Sequence, residues 1–173
     1  MSAETLKEKE AELAGMFDEY YDRIARYAYS RTGDRASSED IASEVFVKAL
    51  KALPSYHERG LPMGAWLFRI AHNLVVDFLR QRAKKKTVPL DGIDLPSEVD
   101  PARAAETRME MERVERAMKK LSPSQQEVVR LRFLAELSSK ETAAAMGKSD
   151  GSVREMQSTA ISRLKQLLSD QAL

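Results

Sequence analysis

Apolar and aromatic residues recur at spacings of three and four along most of this chain, a pattern typical of amphipathic helices. In the first half, the pattern predicts helices from Leu13 to Gly33, from Ser37 to Pro54 and from Pro62 to about Arg82. Ser37 followed by Asp40 resembles a capping box, which favours a helix start at Ser37. Proline suits a first helical turn and stops a helix that runs into it, so a loop is expected between the last two helices.

The periodic pattern stops between residues 83 and 103, where three prolines and a glycine interrupt a run of mixed charges. A stretch of this length without periodicity is typical of a flexible linker between domains. The sequence therefore predicts an all-α fold with two small helical domains, residues 13–82 and 104–173. The linker joins them, and residues 1–12 form an N-terminal extension.

The second domain shows the clearest helix boundaries. Ser122-Pro123-Ser124-Gln125 combines an N-cap, a first-turn proline and a capping-box glutamine, and Ser138 with Glu141 repeats the capping box. Gly147 is a predicted C-cap, and Ser149 caps a last helix. The expected apolar stripes of the first and last helices of this domain are Met111, Val114, Met118 and Leu121, and Val153, Met156, Ala160, Leu164 and Leu167.

Composition narrows the classes of function. The chain has 173 residues, of which 32% are charged, but its net charge is only +1, so any nucleic-acid footprint must be local. It has no cysteine, which excludes disulfides and thiolate sites and suits a cytoplasmic protein. No apolar run is long enough to span a bilayer, and the polar start does not look like a signal peptide.

Residues 138–164 have the order of a helix-turn-helix: a short helix, a glycine-containing turn and a longer helix. If Val153, Ala160 and Leu164 face inward, the polar residues of the last helix face outward and become candidates for groove and phosphate contacts. These candidates are Ser149, Ser152, Arg154, Glu155, Ser158, Thr159 and Ser162. An ordinary helical hairpin with a solvated outer face explains the same spacing.

The helix from Pro62 to Arg82 carries a second polar row beside its apolar one. Trp66, Arg69, Asn73 and Arg80 line this row and combine chemistry suited to phosphates and unstacked bases. A basic run follows, formed by Arg80, Arg82, Lys84, Lys85 and Lys86. The alternatives are that Trp66 packs in the core and that the basic run is a solvated helix end.

The preceding helix has a different surface. Its outer positions are Glu39, Asp40, Ser43, Glu44 and Lys48, hereafter the acidic face. An acidic face repels DNA, so it is either plain solvated surface or a docking face for a protein with complementary charge.

Taken in order, these segments resemble the extracytoplasmic-function sigma factors of the bacterial sigma-70 family, which keep only sigma domains two and four. The resemblance to family region 2 lies in FDEYYDRIARYAYSRTGDRASSEDIASEVFVKALKAL and GAWLFRIAHNLVVDFLRQ. The resemblance to region 4 lies in LSPSQQEVVRLRFLAELSSKETAAAMGKSDGSVREMQSTAISRLKQLL. Thr142 differs from the family here, since an isoleucine usually stands at this position.

The resemblance implies the partners and the division of labour. Asp40 and Glu44, with the rest of the acidic face, fall where the family docks on the β′ clamp of core RNA polymerase, and the β flap is a further expected contact. The last helix would read the −35 promoter element, and an anti-sigma factor is an expected inhibitor. Recognition and opening of the −10 element fall to the loop from Ser55 to Met63 and the helix after it, through Tyr56, His57, Trp66, Arg69, Asn73, Asp77, Arg80, Arg82 and Lys84.

Two other classes of function are weighed against this one. A stand-alone helix-turn-helix regulator would use the same C-terminal segment and bind a two-fold operator unaided. An enzyme has little support, because His57 and His72 are the only histidines and neither has metal-ligand spacing or an evident triad partner. No cofactor, metal or small-molecule substrate is therefore expected.

Overall fold

The computed structural model describes residues 3–85 and 100–170, and the described residues are helical without any strand. The predicted all-α class is confirmed. The helices are α1 (Ala3–Thr32), α2 (Arg35–Ala52), α3 (Met63–Lys84), α4 (Pro101–Lys119), α5 (Pro123–Val129), α6 (Ser139–Met146) and α7 (Asp150–Asp170). A 3-10 turn spans Leu53–Ser55, and a π-helical turn spans Arg130–Leu134.

Several helix ends differ from the predictions. The first helix begins at Ala3 rather than Leu13, because residues 3–12 are good helix formers and Leu6 packs against the core. The predicted capping box at Ser37 is wrong: Asp34 is the N-cap of α2, and its side chain accepts a hydrogen bond from Ser37 N. Pro62 is the N-cap of α3 rather than its first helical residue.

The caps predicted in the second half are confirmed. Ser122 with Gln125 and Ser138 with Glu141 each form both hydrogen bonds of a capping box. Gly147 ends α6 in the left-handed conformation, with φ of 65°. A side chain at that φ is strained, so glycine lets the chain turn from α6 into α7 within three residues.

The predicted linker lies mostly outside the described residues, as does Lys86. Its first residues continue α3 to Lys84, and its last residues, from Pro101, form the first turn of α4. The prediction that Met111 and Val114 are buried is wrong, because α4 packs against α7 mainly through its C-terminal end. Ala117 and Leu121 are buried there, whereas Met111 and Val114 are exposed.

One apolar core includes residues from both halves of the chain. Ile24, Val45 and Phe68 represent its centre between α1, α2 and α3. Leu131 and Leu137, from the turn before α6, belong to the same cluster and are almost fully buried. A smaller cluster of Val128, Ala143 and Val153 holds the second half together. The helix-turn-helix therefore packs directly on the three-helix domain.

Thr142 provides a first test of this packing. Its side chain is fully buried on α6, and its hydroxyl has no hydrogen-bond partner among the described residues. Thr142→Val keeps the shape and removes the unsatisfied hydroxyl, so we expect the protein to be stabilised by about 1 kcal/mol. A thermal melt should show a midpoint raised by about 2–4 °C. Thr107→Val, at an exposed site on α4, is the control, and a lower midpoint for Thr142→Val alone would contradict the expectation.

Candidate nucleic-acid and protein interfaces

The polar row of α3 lies on the surface. Arg69, Asn73 and Arg80 are exposed, and Trp66 is partly buried. Asp77 is also exposed and pairs with Arg80, with 3.6 Å between Arg80 Nη1 and Asp77 Oδ1. Both side chains are more than half exposed, so this pair is weak and leaves the guanidinium available to another anion.

Trp66 is partly buried, as the core-packing alternative predicts. One face of its ring stacks on Tyr56, with 4.5 Å between the ring centroids, and the residue packs against the core cluster. Tyr56, also a predicted −10 residue, is buried rather than exposed, because its ring packs on Trp66. Burial raises the pKa of Tyr56 to about 12, with Glu58 and Glu12 adding to the shift. Its hydroxyl therefore stays protonated, and it donates to Leu61 O at 2.8 Å.

The other predicted −10 residues divide into two groups. His57 and Lys84 are exposed, as a contact with DNA requires. Arg82 is partly buried, and its Nη1 donates to Thr32 O at 2.7 Å, at the C-terminal end of α1. Its guanidinium also lies 5.5 Å from the Phe78 ring centroid. Arg82 is thus engaged within its own domain, where the negative end of the α1 dipole stabilises its positive charge.

The acidic face on α2 is exposed at every predicted position: Glu39, Asp40, Ser43, Glu44 and Lys48. Glu39 pairs with Arg35 at 2.9 Å and Glu44 lies 4.0 Å from Lys48, whereas Asp40 has no ion-pair partner within the described part of the chain. Val47 and Leu50 stand exposed on the same helix. Apolar side chains beside charged ones are the composition of a protein-docking surface.

The predicted helix-turn-helix is present, and its outer residues lie where the pattern placed them. Arg154, Glu155, Ser158 and Thr159 are exposed on α7, and Ser149 caps this helix by accepting from Ser152 N at 3.1 Å. Arg154 Nε lies 3.0 Å from Asp150 Oδ2. A hydrogen bond from Ser139, and the charge of Arg154, hold the pKa of Asp150 below its usual value.

Glu127 joins the two halves and was not predicted as a functional residue. It extends from α5 toward α1 and α3 and is only 8% exposed. Tyr27 donates its hydroxyl hydrogen to Glu127 Oε1 at 2.6 Å, and His72 Nδ1 lies 3.1 Å from the same oxygen. Arg31 Nη1 is 4.0 Å from Glu127 Oε2. Burial raises the pKa of Glu127, but the His72 and Tyr27 hydrogen bonds and the Arg31 charge outweigh it, so the net shift is downward.

Further arginines of the first half reach backbone carbonyls of the second. Arg23 Nε donates to Ala135 O at 2.6 Å and is itself buried. Arg69 donates from Nε to Ala145 O at 3.2 Å and from Nη2 to Ala144 O at 3.0 Å. These two carbonyls lie at the C-terminal end of α6, where a cation is favoured. A predicted −10 contact residue is therefore occupied by the helix-turn-helix itself.

The sequence gives little indication that Tyr27 and Glu127 meet between the two halves. Tyr27 fits the apolar stripe of α1, and Glu127 is the one charged residue of α5, where a lone carboxylate is usually solvated surface. The partners are 45 to 100 positions apart along the chain, so no local spacing pairs them. Among the described residues, no three acidic or histidine side chains are grouped to hold a metal, and no helix could cross a membrane.

Comparison with known proteins decides the family. Residues 16–85 match Sigma-70 region 2, and residues 117–166 match Sigma-70 region 4. The ECF RNA polymerase sigma factor SigD of Mycobacterium tuberculosis is 33% identical over 148 residues, which cover 82% of this chain and 70% of SigD. The chain belongs to the ECF RNA polymerase sigma factors. The ECF sigma factor BldN of Streptomyces coelicolor is 36% identical over 159 residues, but the match spans 91% of this chain and only 60% of BldN.

Solved structures show the same architecture. CnrH, solved in complex with the cytosolic domain of CnrY, matches with a TM-score of 0.70 and 26% identity over 97% of this chain and 94% of CnrH. The sigma factor RpoE from Bartonella quintana, in complex with the anti-sigma factor NepR, gives a TM-score of 0.64 at 22% identity and supports the fold alone. It covers 94% of this chain and 98% of RpoE.

Proposed function

We propose that this ECF sigma factor directs core RNA polymerase to specific promoters and assists strand opening, acting in the cytoplasm by binding rather than by catalysis. The observation that carries the proposal is that one small domain has two surfaces of different composition, one on α2 and one on α3. The acidic face on α2, with Val47 and Leu50 beside it, suits a basic and apolar protein surface. The row through Asn73 and Arg80 on α3 suits DNA.

The α2 surface is proposed to dock on the β′ clamp, and the helix-turn-helix to meet the β flap and the −35 element. The exposed loop residues and the α3 row take the −10 element as opened strands, because a partly exposed Trp66 and the guanidinium groups on the same helix suit unstacked bases. α7 takes duplex DNA in the major groove. Two modest contacts on one promoter gain from linkage when polymerase fixes their spacing.

The division between the two DNA contacts is tested by a pair of matched arginine variants. Arg80→Ala should weaken opening at the −10 element, whereas Arg154→Ala should weaken −35 duplex binding, each by about 1–3 kcal/mol. Holoenzyme binding to promoter fragments that lack one element or the other measures the two effects separately. Both arginines are exposed, and each pairs with a neighbouring aspartate, so the variants lose similar contacts. Equal losses on both fragments for either variant would reject the division.

Reconstitution tests the function as a whole. Purified protein should bind core polymerase and start transcription at a defined set of promoters, which mapped start sites would reveal. Absence of both activities would contradict the proposal. Tight binding to a two-fold operator without polymerase would favour the stand-alone regulator, and nucleotide turnover by the isolated protein would indicate an enzyme.

We further propose that an anti-sigma factor controls this protein by favouring the arrangement seen here. In this closed arrangement Arg69 is bound by α6, and Leu131 and Leu137 are buried against the first domain. Neither group is then available to DNA or polymerase. The support from relatives is that CnrH was solved with the cytosolic domain of CnrY. The unperiodic stretch between α3 and α4 would permit a second, open arrangement.

A further inference from the structure

The loop between α2 and α3 is tied at both of its ends. Tyr56 stands at the first end, and its hydroxyl donates to Leu61 O at the second end. The Tyr56 ring stacks on Trp66 of α3 at 4.5 Å between centroids. Between the two ends, residues 57–60 are exposed, and Gly60 turns the chain with φ of 73°. These four residues, hereafter the loop tip, are exposed, and the two ends of the loop are hydrogen-bonded to each other.

A third tie comes from the start of α1. Lys9 Nζ donates to Tyr56 O at 2.6 Å and lies 5.6 Å from the Tyr56 ring centroid. Leu6, one turn earlier, packs against the core cluster and holds this part of α1 down. Lys9 and Leu6 both precede residue 16, where the match to Sigma-70 region 2 begins. The tie is therefore made by residues outside the matched region.

We propose that Lys9 is a positioning residue for recognition of the −10 element, fixing the loop tip by anchoring Tyr56 beneath it. The inference rests on the proposed function of the loop and assigns a role to the first turns of α1. Lys9 contacts the loop's backbone rather than DNA, so it acts through Tyr56 and the tip.

The physical reason is preorganisation. A carbonyl at the loop's first end has no partner within a helix or sheet, and an ammonium group satisfies it with a charge-assisted hydrogen bond. The ring of Tyr56 is contacted both by this cation and by Trp66, so these contacts set the tip's orientation relative to α3 before DNA binds. A loop fixed in its binding conformation loses less conformational entropy on binding, and it discriminates better between bases.

The chain's single tryptophan gives a direct reading of the tie, because Trp66 stacks on the anchored Tyr56. Lys9→Met keeps the apolar stem and removes the donor, so acrylamide should quench Trp66 fluorescence more strongly in this variant. Lys9→Arg retains a donor and should restore protection. Lys7→Met removes an equal charge from an exposed site on the same helix and should leave quenching unchanged. Unchanged quenching in Lys9→Met, with helix content intact by circular dichroism, overturns the proposal.

Promoter choice gives the functional reading. Holoenzyme carrying the full-length variant should be tested on promoters with every single-base change in the −10 element and a constant −35 element. Lys9→Met should reduce discrimination between the best and the changed sequences by about two- to tenfold, the effect of one hydrogen bond. Lys9→Arg should recover it, and affinity for core polymerase should stay at the wild-type value.

The outcomes separate this inference from the proposed function. A uniform loss on all promoters, or altered quenching without altered discrimination, overturns the positioning role while leaving the sigma activity in place. If wild-type protein directs polymerase to no promoter, the proposed function fails. In that case, the quenching experiment still decides whether Lys9 anchors Tyr56, and a positioning role in promoter recognition is overturned with the function it serves.

Discussion

Glu127→Ala is expected to open the free protein by separating the helix-turn-helix from the first domain. Glu127 is buried, and it is the carboxylate that Tyr27, His72 and Arg31 share across the boundary. Its removal leaves Arg31 beside Arg130, whose pKa is already lowered by burial and by the charge of Arg31. Breaking one partner of a buried charged network costs about 3 kcal/mol. The ratio of closed to open protein should therefore fall on the order of a hundredfold.

Distance measurements between the halves test this expectation. The chain has no cysteine, so labels can be placed at Ala36→Cys on α2 and Ser169→Cys on α7, both exposed. The Glu127→Ala protein should show a longer and broader distance distribution than the parent. Arg26→Ala is the control, because Arg26 pairs with Glu136 across the same boundary at 3.4 Å but both side chains are at least half exposed. A surface pair of this kind contributes only about 0–1 kcal/mol, so this variant should stay closed.

Opening should also change activity. If only the open form binds polymerase, the apparent affinity equals the affinity of the open form multiplied by the fraction of protein that is open. Glu127→Ala should then bind core polymerase more tightly and resist inhibition by an anti-sigma factor. An unchanged distance distribution, accompanied by a lower melting temperature, would instead mean that Glu127 supports the fold without controlling its opening.

The parts of this structure that sequence predicts are those decided by neighbours along the chain. The capping boxes at Ser122 and Ser138 and the C-cap at Gly147 depend on residues within four positions, and all three are confirmed. The start of α2 shows the limit of this reasoning. Asp34 and Ser37 are both good N-caps, and the pattern alone does not reveal that the Asp34 carboxylate binds Ser37 N.

The parts that sequence does not predict depend on distant partners. Whether Glu127 is buried is determined by Tyr27, which is 100 positions away. Tyr56 illustrates the same limit in the loop, since its burial follows from Lys9 and Trp66, which lie on two different helices. The row on α3 could be predicted as a surface, but the occupation of Arg69 by α6 could not.

Asp40→Arg is expected to weaken binding to core polymerase on the order of a hundredfold, about 2–3 kcal/mol, because reversal removes an attraction and adds a repulsion. Asp40 stands out on the acidic face because its carboxylate has no ion pair within residues 3–85 and 100–170, whereas Glu39 and Glu44 are partly neutralised by Arg35 and Lys48. Its full charge is thus available to a partner. The residue is exposed, so the melting temperature should be nearly unchanged.

Equilibrium titration of labelled sigma factor with core polymerase measures this loss, and raising the salt concentration should reduce the difference between variant and wild type. Glu106→Arg, an equal reversal at an exposed site on α4, is the matched control and should bind normally. At polymerase concentrations that restore saturation, Asp40→Arg should recognise promoters as the wild type does, since the row that we propose to bind DNA lies on α3. Wild-type affinity for Asp40→Arg, or an equal loss in Glu106→Arg, would show that the acidic face is solvated surface and that polymerase docks elsewhere.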